Sequence, residues 1–127
     1  MIQENIKRYL GALEKADYQG VIGLFCEGAK VFSPLYGQQS PASFYRDLFQ
    51  DTHQSRIELL DIYQGQTARN WGVNFLYHWT LAEGAQTTFD CVDLFEFDEM
   101  GKIISLRIIY DTQHTRPALD SQRQNQI

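Results

Sequence analysis

Two apolar runs joined by a tight turn constrain this 127-residue chain more than any other stretch. The first is Phe89-Asp90-Cys91-Val92-Asp93-Leu94-Phe95-Glu96-Phe97, the turn is Asp98-Glu99-Met100-Gly101, and the return arm runs from Lys102 to Asp111. Both arms are rich in β-branched and aromatic residues, and the turn carries glycine at its last position, so the segment reads as a β-hairpin. Successive side chains of a strand point to opposite faces. One face of the first arm is therefore Phe89, Cys91, Asp93, Phe95 and Phe97, with Asp93 as its only carboxyl. A four-residue loop sets Phe97 opposite Lys102 and Asp93 opposite Leu106. Ile104, Leu106, Ile108 and Tyr110 then share the Asp93 face, and Val92, Leu94, Ile103, Arg107 and Ile109 share the other.

The rest of the chain must cover the Asp93 face. Residues Ile6, Tyr9, Leu10 and Leu13 recur at helical spacing, and Asp17 starts a second short helix carrying Val21, Ile22, Leu24 and Phe25, which Glu27-Gly28 stops. Ala29 to Ser33 reads as a short strand ending at Pro34, and Leu35 to Gln39 as a loop. Ser40-Pro41 opens a third helix, bearing Phe44, Tyr45, Leu48 and Phe49 and ending near Asp51. Arg56 to Tyr63 and Ala68 to Leu81 are further strands, joined to the hairpin by turns at Gly65 and Gly84. Four sequential strands favour an antiparallel meander. The expected class is α+β: three N-terminal helices packed in the concavity of a strongly curved, mainly antiparallel sheet, with a space between the layers. Residues 1–113 form one domain in this reading, and 114–127 a polar, flexible tail.

Composition excludes several functions. A net charge of −5 leaves no basic surface for nucleic acid. No apolar run reaches the length of a bilayer span, and Met1-Ile2-Gln3-Glu4 does not start a signal peptide, so a cytoplasmic protein is expected. Cys26 and Cys91 have no metal spacing and read as free thiols. The three histidines form no ligand motif, and no phosphate loop, GxSxG elbow or Cys-His signature is present, so neither metal nor cofactor is expected. Aromatic residues make up 13% of the chain, enough large rings to fill a wide core or line a cavity.

Asp93 is the sharpest candidate for chemistry. A carboxyl among aromatic side chains pays a desolvation cost unless paired or protonated, and a protonated carboxyl can donate to a ligand oxygen. Tyr9, on the apolar face of the first helix, is a second candidate donor, and His78 a candidate acid or base. The outer sheet face, with Val92, Leu94, Ile103, Arg107 and Ile109, is apolar enough to suggest a homodimer.

The stretch Arg8-Tyr9-Leu10-Gly11-Ala12-Leu13, with Asp17, Gly20, Leu24-Phe25, Ala29, Val31 and Pro34, resembles the start of bacterial ketosteroid isomerases. Val92 to Phe97 and Gly101 to Arg107 resemble their end. More broadly the chain resembles SnoaL-like members of the nuclear transport factor two-like superfamily. The resemblance implies a cystatin-like cone with a conical apolar pocket, usually in a dimer. It puts the oxyanion-hole tyrosine at Tyr9 and the protonated aspartic acid at Asp93. Where that family carries its general-base aspartate, this chain has Ser33, whose hydroxyl is not basic near neutrality. A substitute base could be His78, Asp111 or a carboxylate neighbouring the Leu35 to Gln39 loop, none singled out by pattern. The implied function is a pocket protein that binds an apolar, oxygen-bearing small molecule through Tyr9 and Asp93, between walls of Phe25, Tyr36, Phe44, Phe89, Phe95, Leu106, Ile108 and Tyr110. Isomerase, cyclase or dehydratase chemistry is one outcome, and a binding or protein-interaction module without catalysis is the other.

Overall fold

The computed structural model describes residues 1–125. In chain order the elements are α1 (Ile2–Glu14), α2 (Tyr18–Ile22), β1 (Phe25–Ser33), β2 (Gly37–Gln39), α3 (Pro41–Gln50), β3 (Thr52–Gln64), β4 (Asn70–Leu81), β5 (Gln86–Phe97), β6 (Ile103–Ile109) and α4 (Thr115–Asn125). One six-stranded sheet has the order β2-β1-β6-β5-β4-β3. The four long strands are the expected antiparallel meander, and β1 adds parallel to β6. The class is α+β, with helices packed on one face of a mixed sheet.

Local chemistry explains the first three helices. α1 buries Ile6, Tyr9, Leu10 and Leu13. Asp17 caps α2 by accepting from the Gly20 amide, and Ser40 caps α3 by accepting from the Ser43 amide ahead of Pro41. In β4, Val73, Phe75, Tyr77, Trp79 and Leu81 are buried while the residues between them are not. Those aromatics, the helices and β5 make one continuous core.

Several expectations need correcting. α2 ends at Ile22, and Phe25 already lies in β1. Gly28, at φ +78°, sits in an irregularity of that strand between Phe25 and Lys30; it bends a strand and does not stop a helix. Gly37–Gln39, expected as loop, pairs back on β1 as a short edge strand. In the hairpin Asp93 lies opposite Ile108, and Phe95 opposite Leu106. The slip from the expected register is two residues, so the faces survive it. A further shift beyond Glu96 puts Ile103 opposite Phe97 and turns it inward, where it is buried, so Ile103 does not belong to the outer face.

The tail is also different. Residues 115–125 form α4, with Thr115, Leu119 and Gln122 buried along one side at helical spacing. Only Leu119 on that side is large and apolar, so sequence periodicity gave little signal. Polar ties do the rest. Arg116 donates to the Pro34 carbonyl at 2.7 Å, and Gln122 receives the Glu83 amide at 2.8 Å and donates to the Asp51 carbonyl at 3.3 Å. α4 thereby bridges the β1–β2 turn to the ends of α3 and β4.

Candidate functional site

A cavity lies between the helices and the sheet, walled by α1, α3, the 33–36 turn and the inner faces of β4, β5 and β6. Its volume is about 40 Å³, room for a few waters. Stacked rings fill the remainder: Phe89 lies 4.0 Å from Tyr110 and 5.0 Å from Tyr77, centroid to centroid. A ligand larger than that enters only if those rings move.

The deep end holds a cluster of polar groups in an aromatic setting. The Tyr9 and Tyr45 hydroxyls are 2.5 Å apart and buried. One donates to the other, and with Tyr45 as donor the Tyr9 hydrogen is free for the cavity that Tyr9 lines. Asp93 is 1% exposed. Its Oδ1 accepts from the Cys91 thiol at 3.3 Å, and no salt bridge reaches it among the described residues. Burial pushes its carboxyl up to about 7, opposed by the Cys91 hydrogen bond. Near neutrality a large fraction of Asp93 is therefore protonated and able to donate. Burial also pushes the Tyr9 hydroxyl well up, with the neighbouring Tyr45 and Asp93 acting in the same direction, so Tyr9 stays a neutral donor. The edges of Phe95, at 5.3 Å, and Phe25, at 6.4 Å, meet the Tyr9 ring and hold its orientation.

The mouth is built differently. The Ser33 hydroxyl oxygen accepts from the Leu35 and Tyr36 amides, each at 3.1 Å, and shapes the turn. The Tyr36 hydroxyl donates to Asp51 Oδ2 at 2.7 Å. Arg123 of α4 reaches the same oxygen at 3.4 Å and lies 5.6 Å from the centre of the Tyr36 ring. Burial, then the Asp51 hydrogen bond, pushes the Tyr36 hydroxyl far up. Its proton is held.

No protein-family model matches the chain. Solved structures do. An NTF2-like protein of unknown function from Burkholderia pseudomallei superposes with a TM-score of 0.79 at 15% identity, covering 93% of this chain and 96% of that one. SalBIII, an epoxide hydrolase/cyclase-like enzyme with a role in pyran ring formation in the polyether salinomycin, gives 0.76 at 20% identity, over 87% and 90%. A protein from Catenulispora acidiphila with a ketosteroid isomerase-like fold, in complex with trimethylamine, gives 0.75 at 10% identity, over 85% of each chain. The chain has the NTF2-like, ketosteroid isomerase-like fold.

Within that fold the sequence candidates separate. Tyr9, Ser33, Tyr36, Phe44, Phe89, Asp93, Ile108 and Tyr110 line the cavity together. Phe25, Phe95 and Leu106 do not line it; they are buried behind the wall. His78 is outside altogether. Alternation along β4 turns it to the outer face, where Nδ1 pairs with the Thr88 hydroxyl at 3.0 Å and Nε2 lies 3.7 Å from Glu58. Asp111 is exposed and accepts from the Gln113 amide, also away from the cavity. Neither is placed to replace the base missing at Ser33. The sequence reading missed Tyr45 as a partner of Tyr9, Cys91 as a partner of Asp93, and Asp51 and Arg123 as the frame of Tyr36. It also missed Phe75, Tyr77 and Trp79 as wall, although their inward alternation in β4 was the available signal.

Among the described residues no group of three His, Cys, Asp or Glu side chains is placed to hold a metal, and no helix is long and apolar enough to cross a membrane.

Proposed function

We propose that this protein binds a small, mostly apolar molecule by an oxygen atom, with Tyr9 and Asp93 as the donors. The observation that carries the reading is the buried Tyr9–Tyr45 pair beside a carboxyl that burial raises to about 7, in a cavity otherwise lined mainly by rings and aliphatic side chains. A carbonyl, phenol or ether oxygen placed there gains hydrogen bonds in a dry setting, where they are strongest. Titration with a phenol tests it: Tyr9→Phe and Asp93→Leu should each weaken binding, and unchanged affinity in the double variant rules the donors out.

If the pocket is catalytic, acid chemistry at oxygen fits it better than proton transfer between carbons. Asp93 is the one carboxyl lining the cavity among the described residues, and Tyr9 can share the charge that develops on oxygen. Cyclisation and dehydration need such an acid, and SalBIII, of the same fold, is epoxide hydrolase/cyclase-like. Steroid isomerisation also needs a base. Ser33 has a hydroxyl engaged in its turn. A Δ5-3-ketosteroid should therefore stay unconverted; substantial turnover by the natural protein would overturn the loss-of-base argument.

The outer sheet face is proposed as a homodimer interface. Leu94 is 43%, Ile109 46% and Tyr63 55% exposed, with Val92 and Arg107 beside them on the strands. Sedimentation at micromolar concentration should give a dimer, and a monomer would sink this interface.

A further inference from the structure

From the rings that fill the cavity we infer the class of ligand it takes: a molecule whose own flat aromatic ring replaces Tyr110 against Phe89. The inference deepens the proposed function and rests on it.

A cavity of about 40 Å³ holds waters, whereas an apolar cavity that takes up benzene measures roughly 150 Å³. A ligand ring therefore enters only where a side chain gives way. Most of the lining rings are tied down. Tyr9 is hydrogen-bonded to Tyr45, and Tyr36 donates to Asp51 Oδ2. Tyr77 pairs with the Ser55 hydroxyl at 2.8 Å, and Trp79 donates to the Thr52 hydroxyl at 2.8 Å. Phe44 meets both Tyr36 and Tyr45 edge-on, and Phe75 is fully buried.

Tyr110 differs on each count. Among the described residues its hydroxyl has no hydrogen-bond partner, unlike those of Tyr9, Tyr36 and Tyr77 in the same cavity. Its ring meets one other aromatic ring, Phe89, stacked at 4.0 Å and 23°. It is partly exposed and stands just past the last ladder pair, Val92 with Ile109, in the 110–114 connection to α4. Turning it outward breaks no side-chain hydrogen bond and bares Phe89. Strand β5 lies between β4 and β6, so Tyr77, at 5.0 Å and 8°, still backs the Phe89 ring from the other side.

A flat ring entering there regains the stack that Tyr110 gave up; a saturated ring only fills the space. Phe89 and Asp93 share one face of β5, four residues and so about 13 Å apart between Cα atoms. A ring on Phe89 and an oxygen at Asp93 are therefore two ends of one ligand. The class is an elongated molecule with an aryl group at one end and an accepting oxygen at the other.

The test titrates phenol, 4-phenylphenol and 4-benzylphenol by calorimetry, the last two each beside the cyclohexyl counterpart in which the end ring is saturated. At least one aryl compound should bind about two- to tenfold more tightly than its counterpart, the worth of one stacked pair. In Phe89→Leu that ratio should fall to near one. Tyr110→Ala should tighten both members of the pair, because no ring has to be displaced first. The inference is overturned if no aryl compound outbinds its counterpart, or if the ratio survives Phe89→Leu. It is equally overturned if Tyr110→Ala weakens the pair, as it would were Tyr110 a fixed wall touching the ligand. Should Phe89→Leu fail to fold, the ratio in the natural protein and the sign of the Tyr110→Ala effect decide. Binding of phenol and both series without preference refutes only the stacking assignment. Absence of binding by every phenol refutes the donor end and this inference with it.

Discussion

The two ends of the cavity solve the problem of burying polar groups in opposite ways. At the deep end Tyr9 pairs with Tyr45 and Cys91 with Asp93 without a counter-charge, and burial raises the carboxyl to about 7. At the mouth the largely buried Asp51 carboxylate faces Arg123, whose side chain is half exposed. The deep end is presented by a strand and a long helix, which hold side chains rigidly. The mouth depends on a turn and on α4, a helix with one large apolar anchor. A donor must be neutral to bind an oxygen in an apolar pocket, whereas an entrance must open. Under the proposed function, the first arrangement suits recognition of a ligand oxygen and the second an entrance.

Breaking either end should show this contrast in stability. The largest effect is expected from Leu119→Ala, which removes the anchor of α4, 1% exposed, and should cost about 2–5 kcal/mol in denaturant unfolding. Amide exchange should speed up in 115–125 before the sheet; uniform loss across the chain would show that α4 is not a separable latch.

Asp93 gives the next effect, and its sign is unusual for a carboxyl. Its folded pKa of about 7 lies above the ordinary value of 3.8, so between those two values the folded protein holds more protons than the unfolded chain. Stability should be highest near pH 4, fall as pH rises to about 7, and be flat above, for a loss on the order of 4 kcal/mol from this group. Asp93→Asn should erase that fall and make the protein more stable than the natural one above pH 7. A natural protein whose stability does not decline across that window would show Asp93 to be ionised and paired.

Smaller changes sharpen the contrast. Asp51→Asn leaves Arg123 without its carboxylate at a partly exposed site and should cost about 0–1 kcal/mol. Tyr45→Phe removes one buried hydrogen bond, about 0.5–1.5 kcal/mol, and frees Tyr9 from its partner. Phenol binding should respond to Tyr45→Phe more than to Asp51→Asn; the reverse order would put the recognition end at the mouth.

Much of the deep end was legible in the sequence because it lies on strict patterns. Period-two alternation put Asp93 inward, and the two-residue error in hairpin register left that face unchanged, since an even slip preserves parity. Helical spacing put Tyr9 inward, and the Asp17 and Ser40 caps were visible as residues. The failures share a cause. Ile103 was misplaced by a strand irregularity that has no side-chain signature. Tyr45 with Tyr9, and Arg123 with Asp51, are contacts across 36 and 72 residues, which depend on how elements pack and not on local spacing. His78 sits between Tyr77 and Trp79, so the alternation that buries those rings turns it outward, a signal present in the sequence but masked by the apolar residues on both sides of the run.

The central claim is that Tyr9 and Asp93 form a neutral donor end for a ligand oxygen. Its most direct test is calorimetric titration of a simple phenol at pH 6 and pH 9 into the natural protein and the Tyr9→Phe, Asp93→Leu double variant. The account predicts binding at pH 6 that weakens at pH 9 as Asp93 ionises, and loss of most affinity in the double variant. Equal affinity in both proteins at both pH values would contradict it.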